Sequence, residues 1–233
     1  MLVRGLVSSR SEAENWIRLG RVRVGGRVVT KPGLFVDESA PIELAASERY
    51  VSRAGLKLAG AAKAFNLNFR GKTVLDVGSS TGGFTDFALQ HGAKKVYAVD
   101  VGTDQLHPSL RGNKRIELYE KTDIRDFVPS EIPDIVVIDV SFISLRQILP
   151  HVAKIVDKNT TIAAMVKPQF EAQRQQLTRG GVVKNDGVRR AILREFEQWA
   201  RASFIIIDKV DSEIKGAHGN LERFYILRKA GSC

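Results

Sequence analysis

Three features of the sequence predict an α/β fold carrying a small α+β module at its N-terminal end. From residue 73 onward, short apolar runs alternate with helical patterns, as in a mostly parallel, doubly wound sheet. The first of those runs, Thr73 to Val77, opens directly into a glycine-rich turn. Residues 1–46 have another texture, short and rich in arginine. At 233 residues the chain can bury one full core and still carry a second, smaller unit. The boundary is expected around Ala45 to Arg49, with 47–233 as the α/β domain.

In the N-terminal module, Ser9 and Glu12 have capping-box spacing, and the apolar positions Ala13, Trp16, Ile17 and Leu19 run up to Gly20. They predict a short helix from Ser11 to Leu19. Arg21 to Val29 alternates arginine with valine around Gly25-Gly26, the pattern of a two-stranded hairpin with one apolar and one basic face. Lys31-Pro32-Gly33 makes a turn, and Pro41 to Leu44 adds a short strand. The net charge is +10, and half of the excess lies in residues 1–31, where seven basic residues face two acidic ones. Arg4, Arg10, Arg18, Arg21, Arg23, Arg27 and Lys31 therefore form a candidate surface for an anionic polymer, with nucleic acid favoured over a merely solvated face. This arrangement resembles the αL RNA-binding module of a small-subunit ribosomal protein and of many RNA-modifying enzymes. That module normally begins with another helix; here the chain enters near its end, at Met1 to Val7, so a truncated first helix is expected.

Seven strands are expected in the larger domain: Thr73 to Val77, Lys95 to Asp100, Glu117 to Asp123, Asp134 to Asp139, Thr161 to Val166, Phe204 to Val210 and Glu222 to Leu227. Helices are expected after the glycine turn to about Gln90, from Leu145 to Val156, and from Gly187 to Ala202. Cys233 is the single cysteine, which excludes a disulfide framework and points to a reducing, cytoplasmic setting. No apolar run reaches the length of a membrane span. The four histidines show no metal-ligand spacing, so no metal is expected.

The glycine turn, Asp76-Val77-Gly78-Ser79-Ser80-Thr81-Gly82-Gly83-Phe84-Thr85-Asp86, admits several chemistries. Gly78 to Gly82 fits the G-x-S-x-G elbow of a serine hydrolase, and Asp139 and His218 follow Ser80 in the required order. A hydrolase elbow, however, sits deep in its sheet, whereas this turn follows the first clear strand. A phosphate loop would place lysine where Phe84 stands, and the dinucleotide fingerprint would place glycine where Ser80 stands. A nucleoside cofactor lacking pyrophosphate relaxes both demands. Asp76 on the first strand, Asp100 at the tip of the second and Asp123 after the third would surround it, with Asp100 accepting the ribose hydroxyls and Asp123 meeting the base. S-adenosylmethionine suits this pattern, with Gly78, Gly82 and Gly83 admitting its methionine portion. Ser79, Phe84, Val101 and Asp139 complete the expected cofactor set.

The acceptor is constrained by what is missing. The fourth strand ends Asp139-Val140-Ser141-Phe142 rather than in the Asn/Asp-Pro-Pro-aromatic motif used on exocyclic amines, and no internal cysteine serves carbon methylation of pyrimidines. Oxygen remains, and a sugar hydroxyl needs a base close by. Lys167 closes an apolar strand. It is either a lysine snorkelling at the sheet edge or a base kept neutral by burial and a second cation. By spacing alone Lys57 and Glu222 are ordinary surface charges.

Five segments, Tyr50-Val51-Ser52-Arg53, the turn at 76–86, Val140 to Leu145, Val166 to Glu171 and Gly180 to Val183, closely resemble the TlyA (hemolysin A-like) ribosomal RNA methyltransferases, relatives of the FtsJ 2′-O-methyltransferases. The resemblance implies a Rossmann-like, class I methyltransferase domain. It also implies a Lys-Asp-Lys-Glu tetrad at Lys57, Asp139, Lys167 and Glu222, and methyl transfer from S-adenosylmethionine to the ribose 2′-OH of cytidine in ribosomal RNA. Ala54 stands where the family often has a second glycine. A basic rim of Lys184, Arg189, Arg190, Arg174 and Arg179 is expected to help dock the RNA backbone. Neither a membrane span nor an amphipathic insertion helix supports a hemolytic role. Two rivals remain at this point, a non-catalytic RNA-binding or ribosome-assembly factor and a serine hydrolase using Ser80.

Overall fold

The computed structural model describes residues 1–7, 10–18, 20, 22–44, 50–216 and 219–231. Two compact units are present, Met1–Arg49 and Tyr50–Cys233.

In the first unit, helix α1 spans Arg10–Arg18 and strands β1 (Val22–Val24), β2 (Arg27–Val29) and β3 (Ile42–Leu44) form an antiparallel sheet in the order β2-β1-β3. Gly25 and Gly26 both take positive φ, 55° and 76°, the backbone of a type I′ turn that matches the twist of the hairpin it closes. Val22 is buried, and its neighbour Arg23 faces solvent opposite Val28 and Glu43. The outer face is thus basic but interrupted by a valine and a glutamate. A single 3₁₀ turn, Leu2–Arg4, precedes α1. The expected cap Ser9, the helix end Leu19, the hairpin start Arg21 and the boundary residues 45–49 lie outside the described residues.

The second unit carries a seven-stranded sheet. Its strands are β4 (Thr73–Val77), β5 (Lys95–Val99), β6 (Ile116–Tyr119), β7 (Ile135–Ile138), β8 (Thr161–Val166), β9 (Phe204–Asp211) and β10 (Arg223–Lys229), in the order β6-β5-β4-β7-β8-β10-β9. Every residue of β4 and β7 is buried, as expected where helices cover both faces of a parallel sheet. Helices α2 (Arg53–Ala64) and α3 (Gly83–Gln90) pack on one face, with Leu58, Phe84 and Phe87 against Val74 and Val137. Helices α4 (Leu145–Ile155) and α6 (Asp186–Ala200) cover the other, with Leu149, Leu193 and Phe196 against Leu75, Val136 and Tyr225. A short helix, α5 (Pro168–Glu171), follows β8.

Two features of this topology create the site. The chain winds outward from β4 in both directions, so a crevice opens at the carboxyl ends of β4 and β7, where ligands bind in open α/β sheets. Strand β10 runs antiparallel to both of its neighbours. Its first residues therefore lie at the same sheet edge as the ends of β4, β5, β7 and β8. The third strand is shorter than expected and stops at Tyr119. Lys121 turns at φ 51° and the amides of Lys121 and Thr122 bond to Gly102 and Asp100 carbonyls, which pulls the chain out of the ladder. Asp123 consequently caps a 3₁₀ turn at Ile124–Asp126.

Candidate active site

The glycine turn is locked to the strand ends around it. The amides of Gly78 and Ser79 both donate to the Val99 carbonyl, at 2.9 and 3.2 Å. Gly78 has φ 80°, and a Cβ there would lie 2.7 Å from the Asp139 carbonyl oxygen, so only glycine fits between the first and fourth strands. Ser80 N donates to Asp100 Oδ2 at 2.7 Å, and Gly102 N donates to Asp100 Oδ1 at the same distance. This leaves lone pairs on both oxygens of Asp100 facing a cavity of about 370 Å³, a size typical of small-ligand sites. Its walls are Val77, Val99, Val101, Ile124, Val140 and Ile143, with Gly78, Asp123 and Asp139 at the edge. A second, polar cavity of about 140 Å³ continues from Gly78, Ser80, Asp139 and Ser141 to Ser52, Asp76, Ser79 and Lys167.

The polar cavity holds an unusual set of buried groups. Asp76 is fully buried; its Oδ2 accepts from Thr85 Oγ1 at 2.6 Å, while Oδ1 has no hydrogen-bond partner among the described residues. Burial pushes its carboxyl up to about 7, against the opposing effect of the Thr85 hydroxyl and with a further push from Asp139. The hydroxyls of Ser52 and Ser79 are likewise buried and unmatched among the described residues. Buried polar groups left in this state are costly unless a ligand or water meets them.

Beside them stand two ion pairs. Lys57 Nζ lies 2.5 Å from Glu222 Oε2, with both side chains at most 10% exposed. Lys167 Nζ lies 2.7 Å from Asp139 Oδ1 and donates to Ser141 Oγ at 2.8 Å. The approach to Asp139 is off the hydrogen-bonding direction, so Oδ1 has the ammonium's charge nearby but no hydrogen bond. The register brings the pairs together: Arg223 faces Val166, so Glu222 and Lys167 are the next residues along two adjacent strands. Each lysine is matched by an acid, and the Lys167–Asp139 pair lines the polar cavity.

Residues 50–230 match the FtsJ-like methyltransferase model, and residues 1–42 match the S4 domain. The chain belongs to the FtsJ-like methyltransferase family. It is 38% identical over 231 residues to the 16S/23S rRNA (cytidine-2′-O)-methyltransferase TlyA of Mycobacterium tuberculosis, covering 97% of this chain and 86% of that protein. It is 41% identical over 223 residues to hemolysin A of Brachyspira hyodysenteriae, covering 94% and 93%. A solved structure from Streptococcus thermophilus, described as a hemolysin, superposes with a TM-score of 0.80 at 40% identity, over 97% of this chain and 85% of that one.

Within this methyltransferase unit, several expected site residues also make structural contacts. Gly83 and Phe84 line the polar cavity, and the positions where a Cβ would stand on Gly82 and Gly83 are packed. A Cβ on Gly82 would lie 2.5 Å from Leu110, and one on Gly83 would overlap the Ser52 hydroxyl and approach Ala54 Cβ to 2.8 Å. Gly83 therefore seats the start of α2 against α3. The reciprocal close approach is made by Gly55, whose added Cβ would lie 2.9 Å from the Gly83 carbonyl oxygen; this contact aligns the helix that carries Lys57. Phe84 belongs mainly to the core, 6.1 Å from the Phe224 ring. Asp123 reaches the cavity edge but is engaged by Arg125, 2.7 Å away, which with the local backbone holds its carboxyl below the usual range. The Ser80 hydroxyl bonds Gln105 Oε1 at 3.0 Å and Asp139 faces Lys167, so no hydrolase triad forms among the described residues; His218 lies outside them.

The cationic surfaces also differ from expectation. Arg4 donates to the carbonyls of Glu38 and Ala40 and so braces the small unit. Arg18 pairs with Glu14 at 3.3 Å. Arg10, Arg23, Arg27 and Lys31 are exposed, and Arg21 lies outside the described residues. In the rim, Arg174, Arg179, Lys184 and Arg190 are exposed, but Arg189 is buried and cannot serve as a docking cation.

Sequence reasoning missed three supporting groups. Asp86 Oδ2 accepts from the Val51 amide at 2.8 Å, which ties residues 50–52 to α3. Ser141 holds Lys167. Glu171, its side chain buried and its carboxyl pushed up by that burial, accepts from Ser144 Oγ at 2.6 Å and Leu145 N at 2.7 Å and so braces the start of α4 from the end of α5. The signal lay in the family-like segments, four of which are fastened in two pairs, 50–53 to 76–86 and 140–145 to 166–171. Among the described residues no helix is long and apolar enough to cross a membrane, and no three ligating side chains cluster as for a metal.

Proposed function

We propose that the protein transfers a methyl group from S-adenosylmethionine to the ribose 2′-OH of cytidine in ribosomal RNA. The observation that carries this reading is the nucleoside-sized cavity beside Asp100, which shares Gly78, Ser80, Asp139 and Ser141 with the polar cavity lined by the Lys167–Asp139 pair; Glu222, paired with Lys57, stands next to Lys167 in the strand register. The chain's residues fit that cofactor. Val99, Ile124, Val140 and Ile143 offer apolar surface to an adenine ring, Asp100 offers free lone pairs to ribose hydroxyls, and the orphaned Asp76 Oδ1, Ser79 Oγ and Ser52 Oγ suit its charged amino-acid end. Bound there, S-adenosylmethionine supplies a methyl group activated on a sulfonium.

The chain's own residues supply the rest. The acceptor hydroxyl is a weak nucleophile and needs alignment and proton removal. When the proton between Lys167 Nζ and Asp139 Oδ1 rests on the carboxylate, the Lys167 amine, held by Ser141, takes the hydroxyl proton. Lys57 and Glu222, next to Lys167 across the strand register, steady the pair beside it. RNA is drawn in by Arg10, Arg23, Arg27 and Lys31 of the S4 unit and by Arg174, Arg179 and Lys184, all contacts to backbone charge rather than to base edges. The 38% identity to a cytidine-2′-O-methyltransferase supports the choice of acceptor.

Lys167→Ala tests the reading. Incubated with labelled S-adenosylmethionine and ribosomal subunits lacking the modification, wild-type protein should label a cytidine 2′-OH. The variant should lose at least about 10²-fold in rate, the lower range for a general base, while calorimetry shows cofactor affinity nearly unchanged. A fully active variant removes Lys167 from the mechanism.

A further inference from the structure

The segment carrying Glu222 is gripped at four consecutive residues. Asn220, itself buried, accepts from the Val183 amide at 3.1 Å and donates to the Gly181 carbonyl at 3.2 Å. The Leu221 carbonyl accepts from Arg189 Nε at 3.2 Å. The Glu222 carbonyl accepts from the Ser212 amide at 2.9 Å. Arg223 Nε donates to Asp211 Oδ1 at 2.6 Å, and that same oxygen takes Arg189 Nη2 at 2.5 Å.

Arg189 is the centre of this arrangement. Its side chain is 8% exposed, and a buried guanidinium needs its charge matched and its donors used. Its fork reaches both neighbours of Glu222: Leu221 directly, and Arg223 through the shared Asp211 oxygen. A lysine ammonium, a single point on a flexible stem, does not reproduce that two-sided reach. The carboxylate of Glu222 is confined from another side as well, since it occupies the place where a Cβ on Gly216 would stand. The carboxylate that meets Lys57 thus sits in a backbone frame whose position α6 determines.

We infer that Arg189 is a positioning residue for methyl transfer: through Leu221 and the Asp211–Arg223 pair it sets the place of the Glu222 carboxylate, and through Glu222 that of the Lys57 ammonium. The inference rests on the Lys57–Glu222 pair acting in the transfer step. A displacement of about 1 Å in such a site can cost about 10²-fold.

Arg189→Lys, Glu222→Gln and the double variant are assayed with S-adenosylmethionine and unmodified ribosomal subunits, with folding followed by circular dichroism. Arg189→Lys should lower kcat roughly 10- to 100-fold, with KM for subunits and Kd for S-adenosylmethionine within about twofold. It should alter the same limb of the pH–rate profile that Glu222→Gln alters. In the Glu222→Gln background it should have no further effect on kcat, because residues acting as one unit are not additive. A folded Arg189→Lys protein with wild-type kcat, or losses that add in the double variant, would overturn the inference. If Arg189→Lys does not fold, Asp211→Glu, which keeps every charge and lengthens the bridge by one methylene, should show the same loss confined to kcat; wild-type kcat there overturns it equally. Wild-type kcat in Glu222→Gln would fell the tetrad reading and this inference together, whereas loss there with full activity in Arg189→Lys fells this inference alone.

Discussion

Asp76 makes the ligand-free protein less stable as the pH rises, and Asp76→Asn should remove that dependence. Its carboxyl is fully buried and pushed from an ordinary 3.8 up to about 7. Below 3.8 the folded and unfolded states both hold the proton. Between 3.8 and 7 the folded state retains a proton that the unfolded state has released, so each pH unit removes about 1.4 kcal/mol of stability. Above 7 the loss is complete, on the order of 4 kcal/mol. Asparagine keeps an acceptor for Thr85 and carries no charge. Urea melts without cofactor should therefore show the variant close to wild type at pH 4 and more stable by a few kcal/mol at pH 8.5. The same substitution should weaken S-adenosylmethionine binding by removing the anion from the polar cavity. A stability difference that stays constant from pH 4 to 8.5 would refute the reasoning, because it would mean that Asp76 is already charged in the folded state.

The two other predictions concern the loops and the basic unit. Glu171→Ala removes the acceptor of the Leu145 amide and of the Ser144 hydroxyl proton, while Ser144 Oγ still accepts from the Arg146 amide; thermal or urea melts should register a loss of about 1–3 kcal/mol. Methyl transfer should fall further than stability accounts for, since the segment between β7 and α4 that Glu171 anchors at Ser144 also presents Ser141 to Lys167. Arg23→Glu with Arg27→Glu should weaken ribosomal RNA binding without changing base preference. The slope of log affinity against log salt should become shallower by about one for each phosphate no longer neutralised, measured by filter binding across a salt series.

Much of the architecture can be read from the chain because it depends on local pattern. The mainly apolar run at 73–77 and the all-apolar run at 135–138 are buried on both faces, and the Gly25-Gly26 turn has one natural backbone. Tertiary facts are less accessible. Nothing in the run Arg223 to Lys229 indicates that β10 runs against its neighbours, although that reversal is what brings Glu222 to the site. The third strand ends before its sequence pattern does because Lys121 turns under tertiary hydrogen bonds, not under its own preference. Gly82 and Gly83 have the look of ligand contacts in the sequence, which does not show that their Cβ positions are also packed, against Leu110 and Ser52. Charge alone does not separate the exposed Arg190 from the buried Arg189, one residue apart on the same helix. Lys57 and Glu222 are legible through family resemblance but not through spacing, since 165 residues separate them.

That separation has a bearing on synthesis. Lys57 leaves the ribosome early, yet its partner belongs to a strand that must slide between two neighbours already made. Until this final insertion occurs the Lys57–Glu222 pair cannot form, so on the proposed reading a nascent or C-terminally clipped chain would carry the S4 unit without a complete site.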